Sequence, residues 1–364
     1  MNRPVRRGAA LAASAAALAA GLAACSLSGG TTAATGGTVI LVTHDSFALS
    51  DGLLESFTEQ TGYAVKLVAP GDGGALVNQL ILTKDSPLGD AVYGIDNTFS
   101  SRAVDEGVLA AYTSPDAVAG MDTADGHLTA IDQGDVCLNV DHQWFAANGV
   151  AEPTTFEELV DPAYEDLLVV TNPATSSPGL AFLLATIGHF GETGWQEYWR
   201  GLLRNGLLIT EGWSDAYYVD FSGSEGAGPR PIVLSYSSSP AAEVGDDGVA
   251  RTGNVEATCV RQVEYAGVLA GAANPEGAKA LVDFLLSDAV QADIPGSMYM
   301  YPVTDVDLPA AWVEHAPLAA DPITLDPAAI AANPATFRAS ARIRPAFASA
   351  YCAGSDSARS RAAE

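Results

Sequence analysis

The chain reads as an α/β protein built in two lobes, and three observations predict it. Strand and helix patterns alternate from residue 38 to residue 96. Two apolar, strand-like stretches, one after Gly134 and one from Thr258, carry the chain out of the first lobe and back again, a two-strand hinge. Loss of an N-terminal export signal leaves 340 of the 364 residues, long for one compact unit and enough for two cores. Each lobe is expected to be a sheet flanked by helices.

The elements follow in order. Met1 to Arg7 carries three arginines, and an uncharged Ala/Leu stretch then ends in Leu22-Ala23-Ala24-Cys25. Residues 1–24 therefore read as a signal peptide. Small residues directly before a cysteine form the lipoprotein cleavage pattern, which makes Cys25 the lipidated first residue and anchors the protein outside the cytoplasm, on the outer face of the cell membrane or in a periplasm. Residues 25–37, rich in Ser, Gly, Thr and Ala, read as a flexible tether. Residues 38–133 form the first part of lobe 1. Thr38 to Thr43 is a strand, Ser50 to Thr61 a helix closed by Gly62, and Ala64 to Ala69 the strand completing a βαβ unit. Gly71 to Gly74 is a turn, Ala75 to Thr83 a helix, and Ala91 to Ile95 a strand running into Asp96 and Asn97. This order predicts a parallel-type sheet with a ligand crevice beyond the strand carboxyl ends, where Asp45, Asp72 and Asp96 fall.

Residues 134–259 form lobe 2, with a strand at Asp135 to Val140, a capped helix at Pro153 to Leu159 and a strand at Leu167 to Val170. The run Asn172 to Gly179, which holds Ser176 and Ser177, precedes the apolar helix Leu180 to Phe190. Its hydroxyls suit an anion at the helix start, and ordinary capping by Ser177 explains them equally well. Residues 260–335 complete lobe 1 and pack the C-terminal part, with a helix at Pro275 to Ser287. Pro334 and Pro345 interrupt any long closing helix, so residues 336–364 read as a poorly ordered tail.

A net charge of −27, from 17 basic and 44 acidic residues, argues against nucleic acid or anionic lipid as the ligand. Of the four cysteines, Cys137 and Cys259 sit in strand-like stretches, and a bridge between neighbouring strands is favoured over two buried thiols in an exported chain. The chain has no dinucleotide fingerprint, no phosphate-binding loop, no metal-ligand spacing and no nucleophile elbow.

Gly212-Trp213-Ser214-Asp215-Ala216-Tyr217-Tyr218 and Leu234-Ser235-Tyr236 crowd aromatic faces, hydroxyls and a carboxylate together. Such groups grip a cationic aromatic ring, each desolvated cation–ring contact contributing ~0.5–2 kcal/mol. The same rings could equally fill a core.

From Val42 to Val303 the chain resembles the periplasmic thiamine-binding proteins of ABC importers. The resemblance rests on Thr43-His44-Asp45-Ser46-Phe47, Asp72-Gly73, Gly94-Ile95-Asp96-Asn97, Thr175 to Gly179, Gly212 to Tyr217, Leu234 to Tyr236 with Ser239-Pro240, and Tyr301-Pro302-Val303. It implies a type II periplasmic-binding-protein fold and a monomeric, non-enzymatic receptor without a cofactor. Thiamine would lie between the lobes and be passed to permease subunits. Trp213, Tyr236 and Tyr299 would face its rings, and Asp45, Asp72 and Asp96 would supply polar contacts, with His44, Asn97, Asp215 and Tyr217 beside them. If phosphorylated thiamine also binds, Ser176, Ser177, Gly73 and Gly179 would hold the phosphate. His44 stands where the family often has Tyr, and Tyr299 where it has an indole; Gln133 to Cys137 lacks the family's Tyr-Gly-Tyr.

Other functions fit less well. A thiaminase-like enzyme would use Cys137 as nucleophile, in surroundings that raise a thiol pKa. A polyamine receptor leaves the hydroxyl-rich helix start unexplained, and a ferric-iron receptor wants a Tyr/His/carboxylate cluster that the pattern lacks.

Overall fold

The computed structural model describes residues 36–325 and Ile330. The signal peptide, Cys25, most of the tether and the tail from residue 336 lie outside the described residues. Among the described residues eight strands form one hydrogen-bonded path in the order β2-β1-β3-β8-β4-β7-β5-β6, and a ninth, β9, is added against β4. They are β1 (Gly37–Thr43), β2 (Tyr63–Val68), β3 (Ala91–Asp96), β4 (Thr129–Asp141), β5 (Leu168–Thr171), β6 (Leu208–Thr210), β7 (Ile232–Tyr236), β8 (Thr252–Val268) and β9 (Tyr301–Pro302).

The first lobe starts from the βαβ unit. β1 and β2 pair in parallel from Gly37 opposite Tyr63, with α1 (Leu53–Thr61) between them. α1 stops because Gly62 takes φ +77°, a left-handed cap that a side chain resists. α2 (Gly73–Leu82) starts two residues before the expected position because Asp72 caps it, its carboxylate accepting Gly73 N–H. β3 pairs in parallel with β1 and leads into α3 (Ser100–Asp105).

β1, β2 and β3 pair in parallel as expected, and the sheet as a whole is mixed because β4 and β8 run antiparallel through its middle and belong to both lobes. The early residues of β4 and the late residues of β8 pair with β9 and β3 in the first lobe; their opposite ends pair with each other and with β7 in the second. β5 joins β6 and β7 in parallel. β4 and β8 form the two-strand hinge. Their ladder is irregular between Ala130 and Asp132 and between Val136 and Leu138, and Cys137 is disulfide-bonded to Cys259 at the second irregularity.

α4 (His142–Asn148) is capped by Asp141, which accepts Gln143 and Trp144 N–H. The helix expected at Pro153 to Leu159 is only two 3₁₀ turns, at Glu157–Val160 and Pro162–Tyr164. Pro162 cannot donate the hydrogen bond that would continue the first turn. α5 (Ser177–Arg204) is longer than expected, and Gly191 at φ +72°, ψ 173° breaks it where the apolar run ends. After β6 come α6 (Trp213–Asp215) and a π-turn, Ala216–Asp220. α7 (Pro275–Phe284) ends three residues before the end of the expected helix, α8 (Asp288–Met298) follows beyond Ser287 where no helix was expected, and α9 (Ala310–His315) follows β9.

Helices cover both faces of the sheet, so its central strands are apolar on both. Val39, Leu41, Val92, Ile95, Val136, Leu138, Val169 and Val233 are all fully buried. Burying one such side chain contributes ~1.5–3 kcal/mol. Among the described residues no helix is long and apolar enough to cross a membrane.

Candidate ligand-binding site

A cavity of about 180 Å³ lies between the lobes. The first lobe lines it with His44, Ser46 and Ala48 after β1, Asp72 and Gly73 at the start of α2, Glu264 on β8, and Ser297 to Met300 at the end of α8. The second lobe supplies Ser177, Trp213, Ser214, Tyr218 and Tyr236. A larger hollow, about 650 Å³, lies beside α5 on the second lobe, lined among others by Glu157, Phe190, Tyr198 and Arg204. Of its charged groups, Glu157 is paired with His189, and Glu197 with Arg200 and Arg204. The cavity between the lobes is the better site because polar groups from several elements converge on it.

Trp213 is the hub of an aromatic wall. Its indole stacks on Tyr217 at 5.0 Å and 16°, meets Tyr218 edge-on at 5.3 Å, and lies 6.2 Å from Tyr236 and 6.0 Å from Tyr299. Trp213 Nε1–H donates to Ser235 Oγ at 2.9 Å, which fixes the ring's rotation. Tyr299 reaches the wall from the first lobe because its backbone is left-handed, φ +57°. That strained geometry is held by Ser238 Oγ, which donates to Tyr299 O.

Asp72 joins the lobes. Besides Gly73 N–H, its carboxylate accepts Ser177 N–H at 3.3 Å and Trp213 N–H at 3.0 Å, both from the second lobe. Three helix starts thus converge on one carboxylate. Burial raises its pKa, against the pull of the Gly73 N–H, His44 and the Trp213 N–H. Ala75 N–H to Thr175 O at 2.9 Å and the Ser46 to Ser214 hydroxyl contact at 3.3 Å also cross the cleft.

Of the residues expected at the site, His44, Asp72, Gly73, Ser177, Trp213, Tyr236 and Tyr299 line the cavity and the others do not. Asp96 is fully buried beneath it, its Oδ1 accepting Thr98 N–H and Oγ1–H. Asn97 bridges to β8, donating to Arg261 O and accepting Val263 N–H. Ser176 Oγ bonds Thr171 Oγ1 inside the second lobe. Tyr217 stands behind Trp213 with its hydroxyl donating to Glu243 at 3.0 Å. Asp215 is exposed, outside the cavity. Asp45 is exposed at the rim, with a carboxylate oxygen 4.0 Å from where a Cβ on Gly212 would stand. Gly179 packs on Thr171 and Asn172, where a Cβ would lie 2.4 Å from Thr171 O, so its role is helix packing.

Glu264, Ser46, Ser214, Tyr218 and Met300 were missed. A glutamate flanked by Val263 and Tyr265 in a central strand is the signal that could have found the first. Cys137, being disulfide-bonded, has no free thiol to act as a nucleophile. No group of three or more His, Cys, Asp or Glu among the described residues could hold a metal ion.

A family profile described as bacterial extracellular solute-binding protein matches residues 86–326. The chain belongs to that family. It is a family of solute-binding proteins and not of enzymes. This solute-binding protein is 31% identical over 303 residues to the thiamine-binding periplasmic protein of Escherichia coli (strain K12), covering 80% of this chain and 88% of that one. It is 30% identical to the protein of the same description from Brucella suis biovar 1 (strain 1330), over 76% of this chain and 82% of the other. A solved structure titled periplasmic thiamin binding protein superposes with a TM-score of 0.73 at 28% identity, covering 83% of this solute-binding protein and 94% of that chain. The ferric binding protein from Campylobacter jejuni superposes at 0.67 with 16% identity, over 86% and 99% of the two chains, a likeness of fold alone.

Proposed function

We propose that the protein is the extracytoplasmic receptor of an ABC importer and carries thiamine, clasped between its lobes, to a membrane permease. The observation that carries this reading is one cavity in which the ring faces of Trp213, Tyr236 and Tyr299 meet buried carboxylates. A thiazolium cation suits such a wall, at ~0.5–2 kcal/mol per ring contact, and the aminopyrimidine finds acceptors in carboxylates or backbone carbonyls. Relatives about 30% identical over most of the chain are described as thiamine-binding, which supports the same ligand.

Both lobes line the cavity, so a ligand there favours the closed form by touching both at once. The phosphate esters of thiamine extend the reading. Ser177 Oγ is buried without a hydrogen bond of ordinary length, beside the N–H groups that Asp72 holds, and a phosphate would compete with Asp72 for them. Lipid on Cys25 would keep the receptor close to its permease.

Titration calorimetry of the mature protein tests the ligand. One-to-one binding of thiamine is expected, with competition ranking its phosphates, and absence of binding by all three rejects the assignment. Mass spectrometry of the N-terminal peptide from membranes is expected to find an acylated Cys25, and an unmodified cysteine rejects the anchor.

A further inference from the structure

Glu264 is 4% exposed, yet it lines the cavity. Its Oε1 accepts from Gln262 Nε2 at 2.9 Å, and its Oε2 from the Tyr93 hydroxyl at 3.0 Å. The Tyr93 hydroxyl has one proton and also bonds Asp132. Tyr93 donates to Asp132 Oδ2, and burial and the nearby Glu264 charge push the Asp132 carboxyl well above the usual range against that hydrogen bond. Tyr93 is placed to donate to either carboxylate, and His44, Tyr93 and Gln262 hold the Glu264 carboxyl below its usual range against burial, so Glu264 is the acid of this trio that favours its charged form. Among the described residues its one ion-pair partner is His44, whose Nε2 lies 3.5 Å from Oε2.

His44 is held in a single orientation. Its Nδ1 accepts the Ser46 N–H at 3.2 Å, so the proton of the neutral ring sits on Nε2, which has no hydrogen-bond partner. The ring lies 5.5 Å from that of Tyr93 and fills the space beside Gly94, where a Cβ would stand 2.2 Å from His44 Cδ2. Protonating Nδ1 would give up the Ser46 bond. The backbone contact therefore aims Nε2 at the Glu264 carboxylate.

We propose that Glu264 is the counter-charge for the cationic ring of the ligand, and that His44 competes with that ring for it. The proposal rests on the thiamine reading for the identity of the cation. The charged and titratable groups around His44 are Glu264 on β8, Asp72 at the start of α2, Asp45 beside it, and Tyr93 on β3 with Asp132 of β4 behind. Burial lowers the imidazole's proton affinity, and Glu264, Asp72 and Asp45 together outweigh it, raising the pKa above 6.5. A bound cation repels the proton, so the pKa is lower in the complex than in the free protein. Between those two values binding releases a proton, and affinity falls by up to about tenfold for each pH unit of acidification. Above the free-protein value the affinity is flat.

Calorimetry with thiamine, and with an isostere whose thiazolium is replaced by a neutral thiophene, tests this across His44's titration. In E264Q, affinity for thiamine is expected to fall about tenfold or more while affinity for the neutral isostere stays within about twofold. In H44Q the acid fall is expected to disappear. Equal losses on both ligands in E264Q, or an unchanged acid fall in H44Q, overturns the proposal. The ligand-free protein gives a second readout: the His44 imidazole, followed by NMR, should titrate at lower pH in E264Q than in the wild type, and an unmoved titration also overturns it. A wild-type protein that binds neither compound overturns the thiamine reading instead, and the NMR result still decides whether Glu264 acts on His44.

Discussion

The Asp72 carboxylate of the first lobe accepts the Trp213 N–H of the second at 3.0 Å, so the residue that caps α2 also holds the lobe carrying the aromatic wall. Hydrogen bonds to charged groups contribute about 1.5–3 kcal/mol each before competing costs. Asp72→Ala is expected to weaken thiamine binding about tenfold by calorimetry. It should also lower fold stability by about 1 kcal/mol through the lost cap.

Gly74 tests closure without touching the ligand. A Cβ there would stand 2.8 Å from Thr175 C and 3.0 Å from Thr175 O, backbone atoms of the opposite lobe that cannot rotate away. Gly74→Ala should hold the lobes apart. We expect at least about tenfold weaker binding with a thermal midpoint changed by only a few degrees. Unchanged affinity would show that Thr175 need not approach α2.

Trp213 and Tyr217 are stacked together but have different surroundings. Trp213 lines the cavity and Tyr217 backs it. Trp213→Ala removes the wall and should cost about 2 kcal/mol or more of binding. Tyr217→Phe keeps the stacked ring, loses the Glu243 bond, and should leave affinity within about twofold while lowering stability by about 1 kcal/mol. Fluorescence titration and chemical denaturation separate the two effects.

The Cys137–Cys259 bridge closes a long loop, 122 residues apart in sequence. Reduction, or paired replacement by alanine, is expected to lower stability by about 2–4 kcal/mol, read as a lower denaturation midpoint.

Asp96 gives a pH prediction with a definite sign. Burial raises its carboxyl from 3.8 to about 6, while the hydroxyls of Ser177 and Thr98 pull the other way. The folded state therefore binds this proton more tightly than the unfolded one. The stabilisation is complete below 3.8 and is lost as pH rises through about 6, a swing of about 3 kcal/mol. Asp96→Asn, which keeps an acceptor for Thr98, should remove that swing from denaturation curves at acid and neutral pH.

The βαβ start and the apolar strands were legible because their periods are local. The hinge strands were only half legible. Asp132 and Gln133 in β4, and Asn254 and Glu256 in β8, interrupt the apolar pattern, so the expected strands began at Asp135 and Thr258 instead of Thr129 and Thr252. Trp213 and Tyr236 stood out by residue type but could equally have filled a core, and Tyr299 was reached only through the family resemblance. What each acid does could not be found, because the chemistry that makes Asp96 a ligand group also makes it a turn cap, and only packing decides. Glu264 was missed because alternating polar residues read as a strand with one wet face, whereas Gln262 and Glu264 are both buried.

The crossing between Ala130 and Leu138 is a short stiff plank with a joint at each end, and the sulfur bridge locks one joint. The other joint adjoins Asp132 and Glu264, so any rotation of the lobes about it would also move the acids buried beneath the cleft.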